Sequence, residues 1–102
     1  KWGGGTVTLT IKDQYKNMSE IIAGCMNLIE NAKTACEHAG IEPLVLPIRG
    51  GTDGCQLSFK GLPCPNLGTG GHAYHGPYEH ITVEGMDITV AMLVKLVETF
   101  IE

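Results

Sequence analysis

The sequence predicts a mixed α/β chain. The prediction rests on a period-two apolar stretch near the start, two long apolar stripes at helical spacing, and a short apolar run bracketed by prolines between them. Their order reads β-α-β, then a loop, a short helix, a brief strand and a second loop, and finally a terminal helix. No internal repeat interrupts it. At 102 residues the chain has the size of one small domain.

In "GTVTLTIKD" the residues Val7, Leu9 and Ile11 alternate with threonines, the pattern of a half-buried strand. "NMSE" offers Asn17 as a helix cap with Glu20 three residues on. Ile22, Cys25, Met26, Ile29, Ala32, Cys36 and Ala39 then recur every three or four residues, a helical stripe. Gly24 interrupts it, so a break with a restart near Asn27 is expected, and Gly40 is the stop. "EPLVLPI" lies between Pro43 and Pro47 and reads as a strand at a sheet edge.

"RGGTDG" is an abrupt turn, and "TDGCQLSF" opens a short helix with Thr52 or Asp53 as cap. The punctuated "GLPCPNLGTGG" leaves room for a brief strand at Asn66 and Leu67. "HITVEG" is extended. In "GMDITVAMLVKLVETFIE" the residues Met86, Val90, Leu93, Val94, Val97 and Ile101 fall on one helical face, the expected buried face of the terminal helix.

Composition excludes several classes of function. Hydrophobic content of 43% with 18% charged residues belongs to globular chains rather than disordered ones. A net charge of −4 without a basic cluster argues against nucleic acid or an anionic membrane as partner. No apolar run approaches the roughly 18–20 residues of a membrane span. Nor does the start, "KWGGG", look like a signal peptide. It lacks an initiating methionine, which suggests a piece of a longer chain. Cys25, Cys36, Cys55 and Cys64 form no C-x-x-C pair, and buried free thiols in a reducing cytoplasm are expected.

Two stretches carry candidate chemistry. "GGHAYHGPYEH" puts His72, His75 and His80 with Glu79 behind a double glycine. Imidazole is the commonest metal ligand and titrates near neutral pH, so a metal site and a solvated histidine surface both fit. His75 and Glu79 are four apart, but Gly76 and Pro77 exclude a continuous helix between them. In "RGGTDG" the glycines permit positive φ and close approach of backbone N–H groups to a ligand. Arg49 follows an apolar strand and offers a planar fork suited to a carboxylate. A tight turn with Arg49 in a structural ion pair is the alternative.

The run from "PIRGGTDGCQLSFKGLPCPNL" through "TGG", "HG" and "E" to "HITVEGM" resembles the C-terminal signature of the peptidase T family. Upstream, "VTLTIKDQYKNM" is similar to the family's lid strand and turn, so the resemblance covers nearly the whole chain. It implies an aminopeptidase that cleaves the first peptide bond of tripeptides with two zinc ions per subunit. It also implies a catalytic α/β domain, a lid domain that makes dimer contacts, a homo-oligomer and a cytoplasmic location.

On that map residues 1–48 are the C-terminal part of the lid, and 49–102 re-enter the catalytic domain. His75 corresponds to a zinc ligand, and Glu79 is a candidate to hold the second nitrogen of its ring. His72 and His80 fall where the pattern supplies no ligand, and are expected behind the ligands or on the surface. Arg49 corresponds to the grip on the substrate's terminal carboxylate, with Gly50, Gly51 and Thr52 along the pocket wall. Thr52 and the turn's N–H groups are also candidates to stabilise the oxyanion. The remaining ligands and the general-base glutamate lie in the N-terminal remainder of the family, so this chain alone is expected to be inactive. A non-catalytic module, such as a dimerisation unit or proteolytic remnant, is the competing reading.

Overall fold

The structure is a computed structural model that describes residues 3–101. It mixes helix with very little strand: α1 (Ser19–Ile22), a 3-10 turn (Ala23–Cys25), α2 (Met26–His38), α3 (Asp53–Phe59), β1 (Gly71–His72), β2 (His80–Ile81) and α4 (Val83–Glu98). The expected break at Gly24 is the 3-10 turn, and the helix restarts at Met26. Asn17 does act at the helix start, its Oδ1 accepting from the Ser19 amide at 2.9 Å, but Glu20 makes no reciprocal bond. Gly40 ends α2 at φ +77°, a conformation that glycine adopts without strain.

Each of the later helices begins where a threonine can accept a hydrogen bond from an orphan amide. Thr52 Oγ1 accepts from Cys55 N at 3.2 Å, and Thr82 Oγ1 from Gly85 N at 3.0 Å. The cap at Thr82 starts α4 at Val83, earlier than the apolar stripe alone suggested.

Two small buried clusters hold these elements. α1 packs against α3, where Ile22, Gly54, Cys55 and Ser58 are buried. α2 packs along α4, each contributing one buried residue, Ala35 and Met92. Elsewhere the apolar residues are half-buried or exposed. The accessible surface is 8428 Å², against about 5,600 Å² for a compact chain of this mass. The radius of gyration is 18.8 Å, against roughly 13 Å for a compact one.

Three expected strands are absent. Residues 7–12 and 42–48, and the pair Asn66–Leu67, are irregular, and the one ladder among the described residues joins β1 to β2. A strand needs a neighbour to pair with, and neither apolar run finds one here. Val7, Leu9 and Ile11 stay at least 79% exposed. The expected inner face of α4 is also corrected. Gly85, Thr89, Met92 and Leu96 turn toward the rest of the chain, while Met86, Val90, Leu93, Val94 and Val97 point outward. α4 is therefore apolar on both sides, the signature of a helix built for burial all round. All four cysteines are free thiols, as expected, but only Cys55 is buried; the others are half-buried.

Candidate functional site

α3 is the hub on which the "RGGTDG" turn is built. Gly50 has φ +85°, and Thr52 then caps the helix. Segment 14–18 lies alongside. Gln56 Nε2 donates to the Gln14 carbonyl at 2.7 Å, and the Cys55 thiol donates to the Lys16 carbonyl at 2.6 Å. The Tyr15 ring sits against Gly51, where any Cβ would overlap it. Segment 62–66 covers the other side. The buried Ser58 hydroxyl donates to the Gly54 carbonyl at 2.7 Å and accepts from Cys64 N at 2.9 Å. Gly54 is required there, since a Cβ would stand 2.6 Å from the Cys64 carbonyl oxygen.

Thr52 Oγ1 also accepts from Asn66 Nδ2 at 3.1 Å. A hydroxyl has two acceptor positions and one proton, so with both acceptor positions used only its proton is left to offer. A cleft of about 250 Å³ opens beside the turn, bounded by Tyr15, Lys16, Ile48, Gly50 and Thr52. Arg49 stands between two of these wall residues, exposed, with no ion pair among the described residues. The structural ion pair weighed from the sequence is not formed among the described residues.

The histidine loop is held by its own residues. β1 and β2 pair antiparallel with His72 opposite His80, and the two rings stack with centroids 5.3 Å apart. Gly76 to Glu79 closes as a turn, with Glu79 N donating to the Gly76 carbonyl at 3.1 Å and Pro77 second in it. His75 has φ +63° and Ala73 φ +54°, left-handed values that are uncommon outside glycine. Glu79 Oε2 accepts from the His75 backbone N–H at 3.0 Å and so holds the strained residue. Glu79 therefore reaches His75 through its amide rather than through the ring. The His75 imidazole hydrogen-bonds to nothing among the described residues. His80 Nδ1 lies 2.7 Å from the Tyr78 carbonyl.

The structure brings Gly50 and Thr52 to one cleft and lines a separate hollow with Glu79 and His80. No three His, Cys, Asp or Glu side chains converge as a metal site among the described residues. Tyr15, Ser58 and Gln56 were not singled out from the sequence. Their roles depend on contacts 36 to 42 positions apart or on a buried hydroxyl, and residue spacing does not display either.

No family model matches the chain. Curated relatives do, over nearly all of it, and each bears the name Peptidase T. The protein of Alkaliphilus oremlandii is 51% identical over 98% of this chain, and that of Caldanaerobacter subterraneus 55% over 98%. The protein of Clostridium perfringens is 50% identical over the full chain. This chain covers only 24%, 24% and 25% of these relatives, about a quarter of their length. Near-complete coverage at 50–55% identity, over a run that includes both glycine-rich stretches, decides the matter: the chain is a C-terminal portion of a peptidase T sequence and belongs to that family.

Proposed function

We propose that this chain is the C-terminal part of a zinc-dependent aminopeptidase that removes the N-terminal residue of tripeptides. The match at 50–55% identity to proteins named Peptidase T carries the reading. It disfavours a stand-alone non-catalytic module. Residues 1–48 belong to the lid in this reading, and 49–102 to the catalytic domain. The open faces of α4 and of segments 7–11 and 44–48 are then surfaces for the remainder of the protein and for a second subunit. A cytoplasmic enzyme is consistent with a described chain in which no helix is long and apolar enough to cross a membrane.

The donor set fits a share in a metal centre, not a whole one. A catalytic zinc site takes about three protein ligands and a water, and this chain offers one imbalance in that direction: His75, a strained residue with an unengaged imidazole. Strained backbone of this kind gathers at functional sites. His75 would bind as neutral imidazole, while Glu79 fixes the loop that presents it. Bound zinc supplies Lewis acidity and lowers the pKa of a bound water. The other ligands and the base come from the remainder of the protein, so the isolated chain is inactive in this reading.

Arg49 pairs with the terminal carboxylate of the tripeptide and limits substrate length. The pair needs a guanidinium not already engaged, and Arg49 has no ion pair among the described residues. Thr52, with only its proton to give, donates to substrate oxygen from the cleft wall. Zinc, the tripeptide and the dimer stand or fall by assay of the complete protein. Tripeptides should be cleaved far faster than dipeptides or tetrapeptides, and chelation should abolish turnover. A charge-assisted pair is worth about 1.5–3 kcal/mol, roughly ten- to 150-fold in binding. Arg49→Met should therefore cost at least tenfold in kcat/KM on a free tripeptide and much less on its amide, with Arg49→Lys recovering only part. Equal losses on acid and amide would overturn the role of Arg49.

A further inference from the structure

We infer that Tyr15 is a positioning residue for the Arg49–Thr52 turn, acting through Gly51 to hold the group that recognises the substrate carboxylate. The inference rests on the reading of Arg49 given above. Three observations carry it. The Tyr15 ring occupies the space over Gly51 that a side chain would need, so ring and turn are in direct contact. The residues on either side of Tyr15 are each tied to α3 by their carbonyls, Gln14 to Gln56 and Lys16 to Cys55, which leaves the ring little freedom to swing away. Tyr15 and Gly50 also share the wall of the same cleft.

The turn itself has weak internal support. Gly50 and Gly51 have no side chains to pack, and Arg49 makes no ion pair among the described residues that would fix it. A guanidinium fork must be aligned with a carboxylate to donate two parallel hydrogen bonds. A backbone that drifts by about 1 Å can cost on the order of 100-fold in rate. The ring restricts that drift from outside the turn. Its hydroxyl bonds to nothing among the described residues, so the ring face and not the phenol does the positioning.

The test uses the complete enzyme, with a free tripeptide and the corresponding amide as substrates. Tyr15→Ala should raise KM for the tripeptide about tenfold and cost the amide clearly less. Tyr15→Phe keeps the ring and should restore wild-type values. Gly51→Ala, whose methyl must push the ring aside, should reproduce the Tyr15→Ala pattern. In an Arg49→Met background, Tyr15→Ala should add little, because both changes remove one interaction.

Suppose Arg49→Met separates acid from amide but Tyr15→Ala slows both equally, or adds its full effect on top of Arg49→Met. The positioning role is then wrong while the Arg49 reading survives. If Arg49→Met itself treats acid and amide alike, the reading of Arg49 fails and the role of Tyr15 falls with it. Should Tyr15→Ala not fold, the same comparison is made with Gly51→Ala, and equal losses on both substrates again overturn the proposal.

Discussion

The turn at 49–52 and the loop at 70–80 both begin from glycines, yet they are held in different ways. The turn takes its shape from segments distant in sequence: 14–18 on one side of α3 and 62–66 on the other. The loop takes its shape from itself, through a stacked histidine pair, a proline turn and a carboxylate that reaches back four residues. Damage to α3 should therefore travel to the Arg49 turn, whereas damage to the loop should stay within it. The difference also separates what each can do. A self-contained loop can present one strained ligand to a centre built elsewhere, while a braced turn can hold several groups in register along a cleft.

The largest effect that would break the contrast is expected at Gly54. Its Cβ position lies 2.6 Å from the Cys64 carbonyl oxygen and 2.9 Å from Asn66 Oδ1, inside a buried contact. Gly54→Ala should destabilise the complete protein by about 3 kcal/mol, as overpacking of a closed site does, read as a fall in the denaturant midpoint. An unchanged midpoint would mean that α3 and segment 62–66 are not tightly joined.

Ser58→Ala comes next. It removes the hydroxyl that receives the Cys64 amide and should cost about 2 kcal/mol, because it leaves a half-buried donor unpaired. Amide exchange should quicken at Cys64 and along 62–66, and not in the histidine loop. Faster exchange in both places would erase the distinction between them.

The apolar periodicity made the helices legible because they depend on near neighbours. The stripe ending at Gly40, the cap at Thr52 and the short helix after it all lie where spacing and capping chemistry put them. The strands at 7–12 and 42–48 were not recoverable in the same way. Their patterns describe what a sheet would bury, and the one ladder among the described residues, β1 with β2, does not receive them. α4 misled for a related reason. Both of its faces are apolar, so periodicity could not say which one meets α2. At the site, the motifs pointed to Arg49, Thr52 and His75, but nothing in their spacing announced that Tyr15 seats on Gly51 or that Glu79 binds a backbone amide.

The smallest effect sharpens the contrast from the loop's side. Glu79→Ala removes the acceptor for His75 N–H and should cost about 1 kcal/mol, confined to residues 73–79. Glu79→Gln keeps an acceptor oxygen and should behave almost as wild type. Hydrogen exchange at the His75 amide reads the difference directly: fast in the alanine variant and protected in the glutamine variant. If the two variants exchange alike, the carboxylate is not what holds the strained histidine.

In the proposed function His75 alone among the loop's histidines reaches a metal. Zinc content and tripeptide turnover, measured together on the complete protein and its single histidine variants, test it most directly. His75→Ala should lose zinc and nearly all turnover, whereas His72→Ala and His80→Ala, which break a stacked surface pair and, at His80, the contact with the Tyr78 carbonyl, should keep most of both. Full zinc and full activity in His75→Ala would contradict the account.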